Sequence, residues 1–272
     1  MKVMTFNING IRARIHQLSK ITDQLKPDIL CLQEIKVSDA DFPRSAVSEL
    51  GYSCVHHGQK GHYGVATLAR APFQTISKGF PDEAPDHQRR LLITAHTLAN
   101  GQTLTLLNGY FPQGENRNHA IKFPLKVAFY ARLLAWLKAQ ADPAQPLLIV
   151  GDFNVAPQDR DIGIGEANQK RWLQAGKCAF LPEERAWYQG LLDWGLADLY
   201  LQQAPQQTSP YSWYDYRSRG FEDDPKRGLR IDHILATAPM QQRCQAAAID
   251  LEIRGMEKPS DHAPMWADIA DD

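Results

Sequence analysis

The chain contains 272 residues, of which 43% are hydrophobic and 22% are charged, a composition typical of a globular protein that buries a substantial core. The formal net charge of −1 neither indicates nor excludes a polyanionic partner, because the local field at a groove matters more than the net charge. No apolar run approaches the ~20 residues that span a membrane, and the first ten residues lack the apolar core of a signal peptide. We therefore expect a cytoplasmic protein without membrane association.

Strands separated by a few helices are predicted along the whole chain. Apolar runs that end in polar residues predict buried strands, and apolar residues three or four positions apart predict helices. In chain order we expect a strand at 2–7, a helix at 16–26, strands at 28–34, 64–70, 89–98 and 104–111, a helix at 122–138, a strand at 147–154, a mostly helical and irregular region at 160–195, and strands at 229–236, 246–253 and 264–269. Several neighbouring strands have short connections. The sheets should therefore be mixed or mostly antiparallel, since an all-parallel sheet needs a crossover helix at every step.

The organisation of the chain indicates one domain. No internal repeat, low-complexity tract or Gly/Ser linker interrupts it, so we expect a single domain over residues 1–272. Four cysteines are present and none belongs to a C-x-x-C pair, which argues against a zinc site. A disulfide framework is not expected in a long chain without a secretion signal. Cys31 lies inside the apolar run "DILCLQ" and is predicted to be a buried thiol.

Polar residues recur where the predicted strands end. In "LLIVGDFN" (147–154) the apolar run stops at Asp152, and Asn154 follows two positions later. Because side chains alternate along a strand, each polar residue at a strand end lies on the same face as the apolar residues that precede it in that strand. Taken singly, each could be an ordinary turn residue; if the strand ends converge, they form one polar pocket. The other candidates are Asn7, Glu34, Tyr110, Asp232, Asp261 and His262.

Such a pocket would require a cation. Clustered carboxylates raise one another's pKa unless a positive charge neutralises them, and Mg²⁺ commonly binds one or two carboxylates with water and phosphate. The set contains one histidine and no cysteine, which argues against zinc. A magnesium site beside a His–Asp pair suits phosphodiester hydrolysis. His262 could hold a neighbouring carboxylate or accept a proton from water; the alternative is a core or turn histidine.

Ten short motifs follow one another along the chain between Met4 and Trp266. They are "FNINGIRAR", "LQEIKV", "GQKGHYGVA", "NGYFPQGE", "GDFNVAP", "DIGIG", "KRW", "WYDYRS", "GLRIDHIL" and "KPSDHAP". Together they resemble the exonuclease III family of bacterial abasic-site endonucleases, and the resemblance covers essentially the whole chain. It implies an α/β fold, a four-layer α/β sandwich of two packed mixed or antiparallel β-sheets flanked by helices. It also implies Mg²⁺- or Mn²⁺-dependent incision 5′ to abasic sites in duplex DNA, 3′→5′ exonuclease activity and the removal of blocked 3′ ends. We expect a monomer.

The resemblance also implies a set of metal ligands. Glu34 is similar to the family's main metal ligand, with Asn7 and Asp261 beside it. Whether one or two cations act stays open at this point. A second cation would add three further candidate ligands, namely Asp152, Asn154 and His262.

Catalytic roles follow from the same resemblance. Asp152 corresponds to the acid/base group at the water or the leaving oxygen. Asn154 corresponds to the residue that stabilises the transition state and orients the nucleophile. Tyr110 corresponds to a phosphate contact or proton donor, and Asp232 to the partner that orients His262.

The substrate-binding residues implied by the resemblance form an apolar pocket. Trp213, Leu229 and Ile231 correspond to the wall that receives an extruded, baseless sugar; flipping is least costly where no base has to be unstacked. The plain alternative for Trp213 is a core aromatic residue. Gln113 and Arg217 are candidates for insertion into the duplex or contact with the opposite strand.

Basic residues outside the pocket are candidates for phosphate contacts that position the duplex. They are Arg89, Arg90, Lys122 and Lys170. His233, which follows Asp232 in a position suited to an apolar residue, is expected to face outwards and to play no part in the site.

Two other functions are compatible with parts of the pattern. The first is a phosphatase or phosphodiesterase of the wider endonuclease/exonuclease/phosphatase superfamily that acts on a non-DNA phosphate ester. Such an enzyme would keep the metal ligands but lack Trp213 and the basic loops. A DNA-binding module without activity would have no use for the carboxylates, because buried unpaired charges are costly.

Overall fold

Two β-sheets pack face to face in the computed structural model, which describes residues 1–81, 83–84, 87–203 and 210–270. Helices cover the outer faces of both sheets, so the expected four-layer α/β sandwich is confirmed. Within the described residues the strands are β1 (Lys2–Asn7), β2 (Ile29–Gln33), β3 (Ser53–His57), β4 (Val65–Ala69), β5 (Phe73–Lys78), β6 (Leu91–Thr97), β7 (Thr103–Tyr110), β8 (Leu147–Asp152), β9 (Leu196–Asp198), β10 (Asp232–Thr237), β11 (Cys244–Ile249) and β12 (Met265–Ile269).

Each sheet has six strands and is mixed. Sheet A has the order β11-β12-β1-β2-β4-β3, and sheet B has the order β5-β6-β7-β8-β10-β9. Only the pairs β1–β2 and β7–β8 are parallel among the described strands; the other neighbours are antiparallel. The short connections noted in the sequence account for this, because antiparallel neighbours need no crossover helix.

The helices of the described residues differ greatly in length. They are α1 (Ile15–Gln24), α2 (Arg44–Glu49), α3 (Lys122–Gln140), α4 (Glu166–Gln174), α5 (Pro182–Gly195), α6 (Leu199–Gln203), α7 (Ala238–Gln241) and α8 (Leu251–Arg254). Within that part of the chain, no helix has the length and apolarity needed to cross a membrane. The helix predicted at 122–138 is confirmed as α3, on which Phe129, Leu133 and Leu137 form a buried apolar stripe.

Three apolar clusters hold the layers together. The central one lies between the sheets and joins Val3 and Cys31 of sheet A to Leu148 and Ile234 of sheet B. A second packs α3 and α5 on the outer face of sheet B, and a third packs α1 and α2 on the outer face of sheet A. Cys31 is fully buried, as its apolar surroundings predicted.

The strand directions bring the polar residues at the predicted strand ends to one end of the sandwich. The parallel pairs β1–β2 and β7–β8 end side by side, with Asn7 aligned to Gln33 and Tyr110 aligned to Asp152. β10 runs antiparallel to β8 and starts where β8 ends, so Asp232 is aligned with Asp152. The convergence expected from the sequence therefore follows from the topology.

The predicted strand at 246–253 is wrong in its second half. The strand β11 ends at Ile249, and a short helix, α8, begins at Leu251. Asp250 causes the change, because its side chain accepts a hydrogen bond from the backbone N–H of Ile253 at 3.0 Å and so caps the helix. The predicted strand at 229–236 also starts later, at Asp232, since Leu229 forms isolated bridges to Trp213 and to the loop at Ile162.

Buried His96 should make the fold sensitive to mild acid. It is 5% exposed on β6 and its ring stacks on Phe73, with the centroids 5.1 Å apart. Burial lowers the pKa of His96 from 6.5 to about 4. As the pH falls through 6.5, the unfolded chain therefore takes up a proton on this histidine, whereas the folded protein does not. The free energy of unfolding consequently decreases on acidification. We expect a loss of about 2 kcal/mol by pH 5 from this residue.

Denaturant unfolding at pH 7.5 and pH 5 of the native protein and of His96→Phe measures this contribution. The variant keeps a ring against Phe73 and should lose less stability on acidification. His62→Phe is the control, because His62 is exposed. Equal acid sensitivity in the native protein and in His96→Phe would rule out His96 as the cause.

Candidate active site

The converging strand ends form a pocket of about 340 Å³, called here the active-site pocket. The predicted residues that line it are Glu34, Tyr110, Gln113, Asp152, Asn154, Trp213, Arg217, Leu229, Ile231, Asp261 and His262. The two other predicted residues, Asn7 and Asp232, are buried directly behind it and hydrogen-bond to pocket residues. The structure thus brings the whole predicted set together.

Asp152 lies at the centre of the polar set and is 1% exposed. Its Oδ2 accepts a hydrogen bond from Asn7 Nδ2 at 2.9 Å, and its Oδ1 accepts one from the Asn154 N–H at 2.9 Å. Burial raises the pKa of Asp152 to about 7; the nearby cationic His262 opposes this shift, whereas the negative charge of Asp232 adds to it. A carboxyl group with a pKa near neutrality can both accept and return a proton.

His262 and Asp232 form a buried pair. His262 Nδ1 lies 2.8 Å from Asp232 Oδ2, and its Nε2 faces Asp152 Oδ2 at 3.8 Å. Burial alone would lower the pKa of His262, but the charges of Asp232 and Asp152 outweigh it and raise the pKa to about 10. The ring is therefore a cation at neutral pH, donating from Nδ1 to Asp232. The Asp232 backbone N–H donates to Ser212 Oγ at 3.0 Å, which fixes this carboxylate in place.

Glu34 follows β2 directly and adopts a left-handed backbone conformation with φ +50°. Its Oε1 accepts from Asn7 Nδ2 at 3.0 Å, and its Oε2 lies 2.8 Å from Lys36 Nζ. Burial would raise the pKa of Glu34, but the Lys36 charge and the Asn7 hydrogen bond lower it below its usual value. Glu34 is therefore an anion at neutral pH. Lys36 was not singled out from the sequence, although it stands within the quoted motif "LQEIKV".

Asn7 orients two carboxylates at once. Its amide nitrogen donates to both Glu34 and Asp152, while its Oδ1 accepts from the Asn9 N–H at 3.1 Å. Asp261 is held in a comparable way: its Oδ1 accepts from Asn9 Nδ2 at 2.9 Å, and its Oδ2 accepts from Trp213 Nε1 at 3.1 Å. Asn9, in the quoted motif "FNINGIRAR", thus links two predicted metal ligands and was missed by sequence reasoning.

Tyr110 ends β7 and is 9% exposed. Burial raises the pKa of its hydroxyl well above 10, and the negative charge of Glu34 adds to this effect. The hydroxyl therefore keeps its proton at neutral pH and can donate a hydrogen bond into the pocket.

A buried ion pair holds the loop that carries Asn154. Lys126 is fully buried, and its Nζ donates to the backbone oxygen of Asn154 at 2.9 Å and to Glu184 Oε1 at 2.5 Å. Asn154 has a left-handed backbone with φ +53°, and its Nδ2 donates to the Phe111 carbonyl at 3.0 Å. The chain is therefore not extended after Asp152, yet Asn154 still lines the same pocket.

Gly151 is required by the close approach of β7 and β8. A Cβ at this position would lie 1.9 Å from the Gly109 carbonyl oxygen, and its φ of +146° is unfavourable for other residues. We expect Gly151→Ala to destabilise the protein by at least ~3 kcal/mol and to displace Asp152. Gly190→Ala on α5 is the matched control, since its Cβ would meet only ordinary contact at 3.8 Å; it should be neutral or stabilising by up to ~1 kcal/mol. Thermal unfolding of both variants tests the difference, and similar unfolding temperatures would contradict it.

The apolar side of the pocket is built by Leu229 and Ile231, which are 1% and 4% exposed, together with Trp213. Trp172, from the quoted motif "KRW", packs against the same cluster and also lines the pocket, a role that the sequence did not reveal. Gln113 and Arg217 are exposed at the pocket, where a bound partner could reach them.

The basic candidates outside the pocket do not share one environment. Lys122 and Lys170 are exposed and Arg89 is half-buried, whereas Arg90 is buried, being only 6% exposed. The expectation that His233 faces outwards is wrong, because it is fully buried.

His233 belongs to a separate buried network behind the site. Its Nδ1 accepts from Arg230 Nη1 at 2.9 Å, so its Nε2 carries the proton and donates to the Val155 carbonyl at 2.8 Å. Arg230 also binds Asp161 and Asp198, each at 2.7 Å. The alternation of side chains along β10 places Asp232 towards the pocket and His233 towards this network.

The oxygen donors fit a hard divalent cation. Glu34 and Asp261 are carboxylates that line the pocket, and hard cations prefer such ligands. Asp152, Asp232 and His262 also place one ligand atom each within 4.8 Å of one another. Their closeness has another explanation, because the His262 ring is a cation whose Nδ1 already donates to Asp232. Glu34 and Asp261 are therefore the carboxylates on the pocket wall that could hold a cation.

A two-sheet sandwich with an acidic pocket at the ends of its central strands fits the class of metal-dependent hydrolases of phosphate esters. Residues 4–262 match the Endonuclease/Exonuclease/phosphatase family, and the chain belongs to this family. It is 53% identical over 269 residues to Exodeoxyribonuclease III of Haemophilus influenzae, covering 99% of this chain and 100% of that protein.

Two solved structures are similar over 99% of both chains. A variant of the 3′ phosphatase NExo from Neisseria, bound to a product DNA hairpin, has a TM-score of 0.89 and 35% identity. An AP endonuclease from Archaeoglobus fulgidus has a TM-score of 0.88 and 33% identity. The expected enzyme class, a nuclease of the exonuclease III type, is confirmed by these similarities.

Proposed function

We propose that this chain is a DNA-repair nuclease that hydrolyses the phosphodiester 5′ to abasic sites in duplex DNA, with 3′→5′ exonuclease activity and removal of 3′-phosphate and related blocks. One observation carries the proposal: an acid/base carboxyl group and a His–Asp pair share a pocket with an apolar wall. The polar groups suit hydrolysis of a phosphodiester, and the apolar wall suits a sugar that has lost its base.

Asp152 is the proposed acid/base residue. With its pKa raised to about 7 by burial, it accepts a proton from the attacking water and returns it to the leaving oxygen. The cationic His262, held by Asp232, faces Asp152 and the phosphate and offsets the negative charge that develops in the transition state.

Tyr110 and Asn154 are proposed to contact the phosphate from the other side. The Tyr110 hydroxyl remains protonated and donates to a phosphate oxygen. Asn154 Nδ2 uses one of its hydrogens on the Phe111 carbonyl, and its second hydrogen donates to the nucleophile or to the phosphate.

Mg²⁺ or Mn²⁺ is the proposed cofactor, and Glu34, Asp261 and Asn7 would hold it. If a second ion binds, its candidate ligands are Asp152, Asn154 and His262, the last only after it loses a proton. A bound divalent ion would neutralise charge on the phosphate oxygens. Support comes from the carboxylate and amide oxygens that line the pocket, which are the ligands that hard divalent cations prefer.

Selection of the lesion is assigned to the wall of Trp213, Leu229 and Ile231. A baseless sugar can enter against this apolar surface, whereas a nucleotide with its base would require unstacking and more space. Gln113 and Arg217, exposed at the pocket, are proposed to fill the gap or contact the opposite strand.

Three further properties are proposed. The chain acts as a monomer, and residues 1–272 form one domain, since one apolar cluster joins both sheets. Its proposed location is the cytoplasm, which agrees with the four free cysteines.

Incubation with a duplex oligonucleotide that carries one stable abasic analogue tests the function, with Mg²⁺ and with chelator. We expect incision 5′ to the lesion with Mg²⁺ and none with chelator. Cleavage of a small phosphate ester without incision of DNA would instead identify a phosphatase on a non-DNA substrate. Binding of DNA without cleavage of either substrate would identify a module that only binds DNA.

A further inference from the structure

Three segments of the chain that line the active-site pocket meet at one buried ammonium group. They are called here the Gln113 loop (113–115), the Asn154 loop (154–156) and the Ala179 segment (178–181), and each contributes at least one residue to the pocket. Gln113 and Asn154 are residues for which substrate contacts are proposed. The ammonium group belongs to Lys126 on α3, which does not line the pocket.

Lys126 donates to an acceptor in two of these segments and to a buried carboxylate. Its side chain is fully buried, and its Nζ donates to the carbonyl oxygens of Gln113 at 3.3 Å and Asn154 at 2.9 Å. The third acceptor is Glu184 Oε1 at 2.5 Å, and Glu184 is fully buried as well. An ammonium group has three N–H donors, so each donor of Lys126 holds a different part of the chain.

Glu184 extends this network to the third segment. Its Oε2 accepts from two backbone N–H groups of the Ala179 segment, both at 2.8 Å. The segments also bond to one another directly. The Ala156 N–H donates to the Ala179 carbonyl at 2.6 Å, and the N–H that follows Lys177, that of Cys178, donates to the Glu115 carbonyl at 3.1 Å. The three segments therefore form a closed arrangement around the buried ion pair.

The Gln113 loop also packs directly on the Lys126 side chain. A Cβ added at Gly114 would lie 3.0 Å from Lys126 Cδ and 2.8 Å from Cys178 Sγ, so the backbone of this loop touches both side chains. Contact and hydrogen bonding together therefore fix how far the Gln113 loop stands from Lys126.

Stability alone does not require an ion pair at this position. Well-packed apolar residues in place of a buried ion pair often leave a protein equally or more stable. Hydrogen bonds from an ammonium group are directional, whereas apolar contacts are not, so the pair specifies where the carbonyls of Gln113 and Asn154 lie. This favours a role in positioning the segments.

We propose that Lys126 is a positioning residue that sets the distance between Gln113 and Asn154, so that the contact of Gln113 with the duplex places the scissile phosphate against Asn154. This inference rests on the proposed function, which assigns those two contacts. Lys126 itself touches neither the duplex nor the phosphate. A misplacement of about 1 Å can cost roughly 10²-fold in rate, which is the effect expected when the distance is no longer held.

Removing both charges of the pair tests this role without leaving one charge buried alone. The neutral-pair variant combines Lys126→Met with Glu184→Gln; methionine keeps the apolar stem, and the glutamine oxygen can still accept from the Ala179 segment. We expect its affinity for an abasic-analogue duplex in chelator to stay within about threefold of the native value. Single-turnover incision with Mg²⁺ should slow by about 10²-fold. Lys138→Met is the matched control, because Lys138 is exposed at the opposite end of α3, and it should change neither quantity.

Coupling between Gln113 and Lys126 is the readout that a merely structural role would not produce. Gln113→Ala should slow incision by about tenfold in the native protein but by less than about twofold in the neutral-pair variant, because there its contact no longer places the phosphate. Effects that multiply would mean that the two residues act independently, and the proposal would be refuted.

Gly114→Ala displaces the same loop without removing a charge. Its Cβ would press on Lys126 and Cys178, so incision should slow by about tenfold or more. Gly101→Ala is the matched control, since Gly101 has nearly the same φ, +82° against +86°, but nothing within 4 Å of its Cβ. Gly101 lies in the turn between β6 and β7, away from the strand end that carries Tyr110, so incision should stay within about twofold of the native rate.

The outcomes separate the possible failures. If the native protein incises the abasic duplex and both the neutral-pair variant and Gly114→Ala incise it equally fast, the proposed function stands and the positioning role is refuted. If the neutral-pair variant does not fold, Gly114→Ala and its control Gly101→Ala decide, because those chains keep both charges. If the native protein neither binds nor incises the duplex, the proposed function itself fails and the positioning role fails with it.

Discussion

Asp152→Asn is expected to lower kcat/KM for incision of an abasic duplex by about 10³-fold while the protein stays folded. The carboxyl group of Asp152 has a pKa raised to about 7 by burial, which lets it accept and return a proton near neutral pH. An amide cannot do so, and loss of a general acid/base typically costs roughly 10²- to 10⁴-fold. Single-turnover incision at saturating enzyme measures the chemical step directly.

Binding provides the second readout for this variant. Removing a negative charge from a pocket that receives a phosphate should leave the affinity for the abasic duplex in chelator unchanged or higher. Asp142→Asn is the matched control, because Asp142 lies in the turn before β8, at the opposite end of the same strand, and caps only the Ala144 N–H. Activity of Asp152→Asn within about tenfold of the native protein would remove Asp152 from the acid/base role.

Strand parity predicted only that each polar residue at a strand end lies on the same face as the apolar residues before it. Asp152 lies on the same strand face as Val150, and Asn7 lies on the same face as Thr5, because residues two positions apart in a strand point the same way. What parity cannot supply is the direction of neighbouring strands. The parallel pairing of β7 with β8 and the antiparallel pairing of β8 with β10 place Tyr110, Asp152 and Asp232 at one end.

The strands missed in the sequence are all at sheet edges. β3 ends sheet A, while β5 and β9 end sheet B. An edge strand is partly solvated and is often short or polar, which protects it from pairing with other chains. β5 shows this well, since four of its six residues are exposed, and β9 has only three residues. A pattern search that relies on continuous apolar runs therefore finds central strands more readily than edge strands, although it did find the edge strand β11.

The burial of several charged residues was the other feature that could not be predicted from the sequence. Lys126 and Arg230 look like ordinary surface residues until their partners, Glu184 and Asp198, are seen 58 and 32 positions away along the chain. Arg90, for which the sequence suggested an exposed phosphate contact, is buried as well, and it forms no ion pair among the residues described. Their burial depends on loops whose paths no local pattern specifies, and these charges set the geometry around the pocket.

Asp232→Asn should reduce kcat/KM for incision by roughly 10²- to 10⁴-fold through its effect on His262. In the native protein the carboxylate accepts the Nδ1 proton at 2.8 Å and is the largest of the charges that raise the pKa of His262 to about 10. Asparagine removes this charge and can donate to Nδ1 instead. The pKa of His262 would then be lower than in the native protein, and the neutral ring would keep its remaining proton on Nε2.

The pH dependence identifies this mechanism. Because the folded pKa of His262, about 10, is above its unfolded value of 6.5, its stabilising contribution is complete below pH 6.5 and is lost as the pH rises towards 10. Unfolding measured in chelator between pH 6 and pH 10 should show this loss in the native protein and a smaller one in Asp232→Asn. An unchanged profile would mean that Asp232 does not set the charge of His262.

A double variant separates a shared role from two independent ones. If Asp232 acts only through His262, Asp232→Asn combined with His262→Asn should be little slower than His262→Asn alone, since residues that act as a unit are strongly non-additive. Multiplied effects would mean that Asp232 contributes separately. The Oδ1 atom of Asp232 would explain that outcome. It is buried without a hydrogen-bond partner among the described residues, so it is available for a direct contact with the substrate.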